Sequence, residues 1–185
     1  MSKPNSGYFI GTAGSNNTFK NLSQKEYKSV IILPKGIDTR EHATKYKQLS
    51  SNRRKILHKK EDNRTITKEE YRRLNWQRRL DKRRRDGIEA FWEAEADRIN
   101  RKLPTTRNWT VTQREAILNG LRPKFKGEPM QSHHTYNVAK YPHLANIGFL
   151  IYPVTRNEHF NRWHNRSYTK SLPGKPMNYQ IKEDF

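Results

Sequence analysis

Residues 131–136 read Gln-Ser-His-His-Thr-Tyr. Two imidazoles stand side by side in a stretch with few other charges. The chain continues as Tyr-Pro-His-Leu-Ala-Asn (141–146), Phe-Leu-Ile-Tyr-Pro-Val (149–154) and Thr-Arg-Asn-Glu-His-Phe-Asn-Arg-Trp-His (155–164). The pattern predicts a strand carrying the histidine pair at its end, then a loop, a second strand, and a short helix capped by Thr155 or Asn157. Five of the seven histidines, His133, His134, His143, His159 and His164, fall in this segment. Neutral imidazole is the commonest protein metal ligand, and it readily takes a proton near neutral pH. The cluster therefore points to a metal or catalytic site. Successive side chains of a strand face opposite ways, so His133 and His134 are expected to differ in role. His159 and His164 are five apart, about 140° around an ideal α-helix. Both can reach one ion only if the helix ends near Trp163.

Upstream, Thr67-Lys-Glu-Glu is a capping box. It predicts a long helix to about Leu103, with Tyr71, Leu74, Leu80, Ile88, Phe91, Trp92 and Ile99 as apolar positions, Gly87 as a possible bend and Pro104 as the stop. Thr110-Val-Thr-Gln is a second capping box, opening a short helix over 114–119 with Gly120 after it. Residues 122–129 are turn-rich, and residues 43–60 carry a weakly amphipathic helical pattern. Ser-Val-Ile-Ile-Leu-Pro (29–34) reads as one short strand. Residues 1–28, rich in Gly, Ser and Asn, read as irregular, as does the tail from Ser167.

Hydrophobic residues make up 32% of the 185-residue chain, which predicts a small core. Lys and Arg number 38 against 18 Asp and Glu, a net charge of +20. That excess implies a polyanionic partner, nucleic acid foremost, or an acidic protein. Between 51 and 85 the basic residues crowd, ending in Arg-Arg-Leu-Asp-Lys-Arg-Arg-Arg (78–85). Arg78, Arg79, Lys82, Arg83, Arg84 and Arg85 are candidates for sequence-independent phosphate contact. Cysteine is absent, which excludes disulfides and thiolate ligands; any metal must use nitrogen and oxygen donors. No apolar run approaches the ~18 residues of a membrane span, so no membrane anchor is expected. Residues 1–20 lack the apolar core of a signal peptide.

The stretch from Trp109 to Pro176 resembles HNH/endonuclease VII superfamily nuclease toxins with a Ser-His-His or Gly-His-His signature. The matching blocks are 109–113, 117–120, 123–127, Gln-Ser-His-His-Thr-Tyr (131–136), 140–146, 151–160, Trp163-His164 and 171–176. Residues 32–42 and the basic helix also look like the region preceding the nuclease in some of these toxins. The resemblance implies an α+β fold: a C-terminal ββα-metal module, of the His-Me finger type, after a mainly helical, basic N-terminal region. The expected division is 1–42 linker-like, 43–108 basic and helical, and 109–185 nuclease.

By the same resemblance, His133 binds one divalent cation, His134 is the general base, and His159 and His164 complete the ligand set. The middle Asn of the pattern falls at Asn146. Arg156, Arg162 and Arg166 are candidates for charge stabilisation and phosphate contact. Three imidazoles suit Zn²⁺, Ni²⁺ or Mn²⁺ better than Mg²⁺. The implied function is a metal-dependent endonuclease toxin acting on DNA, with RNA as the alternative substrate. It would be delivered as part of a larger secreted effector, act in the cytoplasm of a target bacterium, and have an acidic immunity protein as partner. A non-catalytic basic nucleic-acid-binding protein would explain the charge but not the histidines. His143 is expected in a structural role and His42 and His58 at the surface. Tyr136, Tyr141, Tyr152, Trp109 and Trp163 are expected in packing, and Glu158 near a helix start.

Overall fold

Both capping boxes form as the sequence predicts. Thr67 accepts from the Glu70 amide while Glu70 accepts from the Thr67 amide, and Thr110 and Gln113 do the same. The computed structural model describes residues 36–42 and 44–185; the strand expected at 29–34 lies outside the described residues. Helix α1 spans Ser51–Asp62, α2 Lys68–Asn100 and α3 Val111–Leu118. Helix α1 starts later than the pattern from residue 43 predicts, because Ser50 supplies the cap by accepting from the Arg53 amide. Leu57 of α1 packs with Leu49 and Leu74.

Helix α2 runs unbroken through Gly87. This glycine permits a close approach. A Cβ at Gly87 would lie 2.4 Å from the Ala145 carbonyl oxygen, and one at Gly148 would lie 2.8 Å from the Phe91 amide nitrogen. The two glycines let α2 lie directly against the backbone of residues 145–148.

Residues 122–129, expected only to turn, form a small hairpin. Strand β1 (Lys124–Phe125) pairs antiparallel with β2 (Glu128–Pro129). Lys126 (φ 49°) and Gly127 (φ 83°) make the tight turn that a two-residue hairpin loop requires. Strand β3 (Gln131–His134) pairs antiparallel with β4 (Ile151–Val154), with His133 opposite Tyr152 and His134 opposite Ile151. Single-turn 3₁₀ helices at Pro142–Leu144 and Gly148–Leu150 lie on the connection between them. After β4 the chain winds as a π-helix over Glu158–Trp163.

The core joins α2 to the helix and connecting segments that follow it. Ile99 of α2 packs with Trp109, Ile117 and Met130, and Leu80 packs with Val138 and Ala145. These contacts cross the division expected at 108/109. The Arg107 guanidinium is buried in a bidentate pair with Glu158 at 2.6 and 2.7 Å, and it also donates to the Pro153 carbonyl at 3.1 Å. Thr155 and Glu158 exchange side-chain and backbone hydrogen bonds, so the cap of the last helical segment is Thr155. Among the described residues, no helix is long and apolar enough to cross a membrane.

Candidate metal centre

Strand alternation buries His133 and leaves His134 half-buried, so the adjacent pair divides as the strand geometry requires. His159 and His164 enter from the π-helical segment. In that winding each amide reaches back five residues, and the His164 amide donates to the His159 carbonyl at 3.2 Å. Five residues then make roughly one turn, which places both rings on one face. The helical segment does end near Trp163, and its π winding completes the alignment.

The ring nitrogens of His133, His159 and His164 offer three donor atoms within 4.8 Å of one another. Hydrogen bonds fix which nitrogens of His159 and His164 carry lone pairs. His159 Nδ1–H donates to Gln131 Oε1 at 2.5 Å, and His164 Nδ1–H donates to the Lys170 carbonyl at 2.6 Å. Each is left with a bare Nε2, and these two atoms face each other at 3.2 Å. His133 Nε2 is buried without a hydrogen-bond partner. Two bare nitrogens facing each other repel unless a cation lies between them, and the partnerless His133 Nε2 is placed to be a third donor to it. With Zn–N near 2.0–2.1 Å, the nitrogens of a tetrahedral site sit about 3.3 Å apart. The residues present therefore fit a divalent metal, and Gln131 and the Lys170 carbonyl orient two ligands from behind.

Burial, then the neighbouring imidazoles, holds the pKa of His133 well below the ordinary histidine value; burial, then His164, lowers that of His159 to about 4. Both effects keep the rings in the neutral, ligating form. Glu158 is not available as a ligand: its carboxylate is taken by Arg107 and by the amides of Thr155 and Asp184.

His134 lines the same cleft as the three histidines, together with Arg84, Gln48, Ser132, Asn137, Tyr168 and Ser171. Its Nε2 lies 3.1 Å from the Ala145 carbonyl. A carbonyl only accepts, so Nε2 carries the proton and Nδ1 the lone pair. Burial, then the positive charge of Arg84, lowers the His134 pKa to about 4. The ring is neutral at pH 7 and can accept a proton.

Residues 74–155 match the model of a family described as a GHH signature containing HNH/Endo VII superfamily nuclease toxin. The match covers less than half of the chain. No curated protein and no solved structure matches the chain. The family match opens within α2 and ends at Thr155, so it takes in the His133–His134 pair and stops short of His159 and His164. The grouping of those two with His133 rests on the geometry. In this chain the residue before the pair is Ser132 rather than the glycine of the family's signature, and its hydroxyl accepts from Trp92 Nε1 of α2 at 3.0 Å.

The other candidate residues lie elsewhere. Asn146 is exposed, and its Oδ1 accepts from Arg83 at 2.7 Å. Arg156 lies 3.8 Å from Glu128 and lines a different cleft with Phe125 and Asn157. Arg162 is buried and donates to the Ile181 carbonyl. Arg78 pairs with Glu61, and Lys82 with Asp86 at 2.7 Å. Arg79, Arg85 and Arg166 are exposed. Of the basic candidates, Arg84 alone lines the histidine cleft. Sequence reading did not anticipate Gln131, Arg107 or the particular place of Arg84. One glutamine at the start of a strand and two arginines among 38 basic residues carry no spacing signal.

Proposed function

We propose that the chain is a metal-dependent endonuclease that hydrolyses phosphodiester bonds, with DNA as its substrate. The observation that carries this reading is the convergence of three imidazoles, two of them with bare nitrogens face to face, beside a neutral histidine whose proton is already committed to a backbone carbonyl. His133, His159 and His164 hold one divalent cation, which when bound supplies positive charge to a phosphate oxygen and to the departing 3′ oxygen. His134 Nδ1 takes the proton from the attacking water, and the Ala145 carbonyl keeps the ring in the tautomer that makes this possible. Arg84, in the same cleft, holds the scissile phosphate and adds charge stabilisation. The exposed basic residues Arg79, Arg85 and Arg166, with Arg156 on the neighbouring cleft, contact flanking phosphates without reading sequence.

The toxin family supports a wider reading. The chain is the nuclease part of a larger delivered effector, acts in the cytoplasm of a target bacterium, and is neutralised in the producer by a tightly bound acidic immunity protein that covers the basic cleft.

The test offers supercoiled plasmid and a structured RNA to wild type, His134→Ala and His159→Ala, with and without EDTA and added Zn²⁺, Ni²⁺, Mn²⁺ or Mg²⁺. Plasmid nicking that needs a metal and both histidines is expected, with metal binding retained in His134→Ala. Cleavage of RNA alone would keep the chemistry and change the substrate. Metal-bound, folded wild type that cuts neither would overturn the reading in favour of a nucleic-acid-binding protein.

A further inference from the structure

A second group of nitrogen and oxygen donors lies outside the cleft. Asp38, His42 and His143 offer one ligand atom each, all within 4.8 Å of one another. The group joins segment 36–42 to the 3₁₀ turn Pro142–Leu144, about a hundred residues away. His42 Nε2 lies 3.1 Å from Asp38 Oδ2, and the His42 and His143 ring centroids are 4.0 Å apart. His143 Nε2 lies 2.8 Å from the Asp38 carbonyl, which only accepts, so Nε2 carries the proton. The lone pair is on His143 Nδ1, and that atom is buried without a partner. A ligating histidine characteristically donates its other N–H to a backbone carbonyl, and His143 is already in that state. Both Asp38 oxygens accept from the Arg40 side chain at 2.8–2.9 Å, which keeps the carboxylate anionic; unlike the buried Arg107 that holds Glu158, Arg40 is 84% exposed and free to swing away from an incoming ion.

We infer that Asp38, His42 and His143 form a second divalent-metal site that clips the upstream segment to the 142–144 turn. Two imidazoles and a carboxylate suit a borderline ion of the Zn²⁺ class. The half-exposed His42 leaves the outer side open for water as a fourth ligand. The segment is also tied by the His42 amide to the Lys140 carbonyl at 3.0 Å and by Glu41 to Lys140 at 2.9 Å. The clip therefore closes a contact already in register. Its place has a consequence, because Ala145, whose carbonyl holds His134, directly follows this turn.

The test counts Zn²⁺ ions per untagged full-length chain by native mass spectrometry, with folding followed by far-UV circular dichroism. Wild type is expected to hold two ions, His42→Ala one, His159→Ala one and the double variant none. Asp38→Asn, which keeps the side-chain shape, should match His42→Ala. Equal ion counts in wild type, His42→Ala and Asp38→Asn would overturn the second site. If the one ion then held were lost in His159→Ala, the three-histidine centre would survive that failure. A single ion lost in His42→Ala but kept in His159→Ala would support the clip and refute the nuclease centre instead.

Discussion

Replacing Gly87 by alanine adds one methyl group in the middle of α2, and the surroundings decide its effect. In an exposed helix interior the change would stabilise by ~1 kcal/mol, because alanine is the best helix former. Here the new Cβ would lie 2.4 Å from the Ala145 carbonyl oxygen and 3.1 Å from the Asn146 Cα and carbonyl carbon. All three neighbours are backbone, so no side chain can swing away. Overpacking of this kind typically costs about 1–3 kcal/mol. The net expectation is a loss of about 1 kcal/mol against the helix-propensity gain. The displaced carbonyl is the one that accepts from His134 Nε2 at 3.1 Å. A misplacement approaching 1 Å at a reacting group can cost about a hundredfold in rate. Gly87→Ala should therefore slow plasmid nicking at saturating metal by about ten- to a hundredfold. Zn²⁺ affinity should hold, because position 87 meets none of the three ligating histidines. Gly148→Ala is the control: its Cβ would meet the Phe91 amide nitrogen at 2.8 Å and Ala90 at 2.9–3.0 Å. It should cost stability with a smaller effect on rate. A Gly87→Ala variant that gains stability in urea and nicks at the wild-type rate would refute the close-approach argument.

Three further outcomes follow from the same geometry. Gln131→Leu removes the acceptor that orients His159 and should weaken Zn²⁺ binding by about 10–100-fold, measured by competition with a chromogenic chelator, with secondary structure unchanged. Glu158→Gln strips the anion from buried Arg107 and should cost about 3–5 kcal/mol in urea unfolding, whereas the paired change Arg107→Met, Glu158→Leu should recover a large part of that loss. In the metal-free protein the unfolded chain takes up protons as pH falls below about 6.5, while folded His134 stays neutral down to about 4. His134 thus costs nothing above pH 6.5, and stability is lost progressively from there to pH 4. The loss amounts to about 3 kcal/mol at most, and His133 and His159 act in the same direction. A flat urea midpoint between pH 7 and 4.5 would contradict this.

What was legible in the sequence was what local chemistry determines. Thr67/Glu70 and Thr110/Gln113 announce their helices because a cap satisfies orphan amides within four residues. The strand–loop–strand order around His133 and His134 follows from alternation and β-branched residues. Position in three dimensions was not legible. Gly87 looked like a bend in α2, yet its missing side chain matters to a carbonyl nearly sixty residues away. His42 and His143 gave no pattern at all, since nothing local relates them.

The helical segment carrying His159 and His164 shows why the five-residue spacing could not be resolved from sequence. An α-helix would place residue 163, four positions on, nearest to His159. That residue is Trp163, which is buried with its ring 4.4 Å from that of His133 and 5.3 Å from that of Tyr152. The π winding brings His164 into register with His159 and leaves Trp163 free to pack under His133. Tertiary contacts hold this wider turn: the Asn178 amide donates to the Arg162 carbonyl at 2.9 Å, and Arg162 itself donates to the Ile181 carbonyl. The register of His159 and His164 is therefore set in part by the C-terminal tail that the sequence presents only as irregular chain. Restoring α-helical spacing by deleting Asn161 would carry the histidine from position 164 to four residues after His159. If the π winding serves only to align the two rings, that deletion should leave Zn²⁺ binding intact. If the Trp163 packing under His133 matters equally, the deletion should abolish binding, and the structure favours this second result.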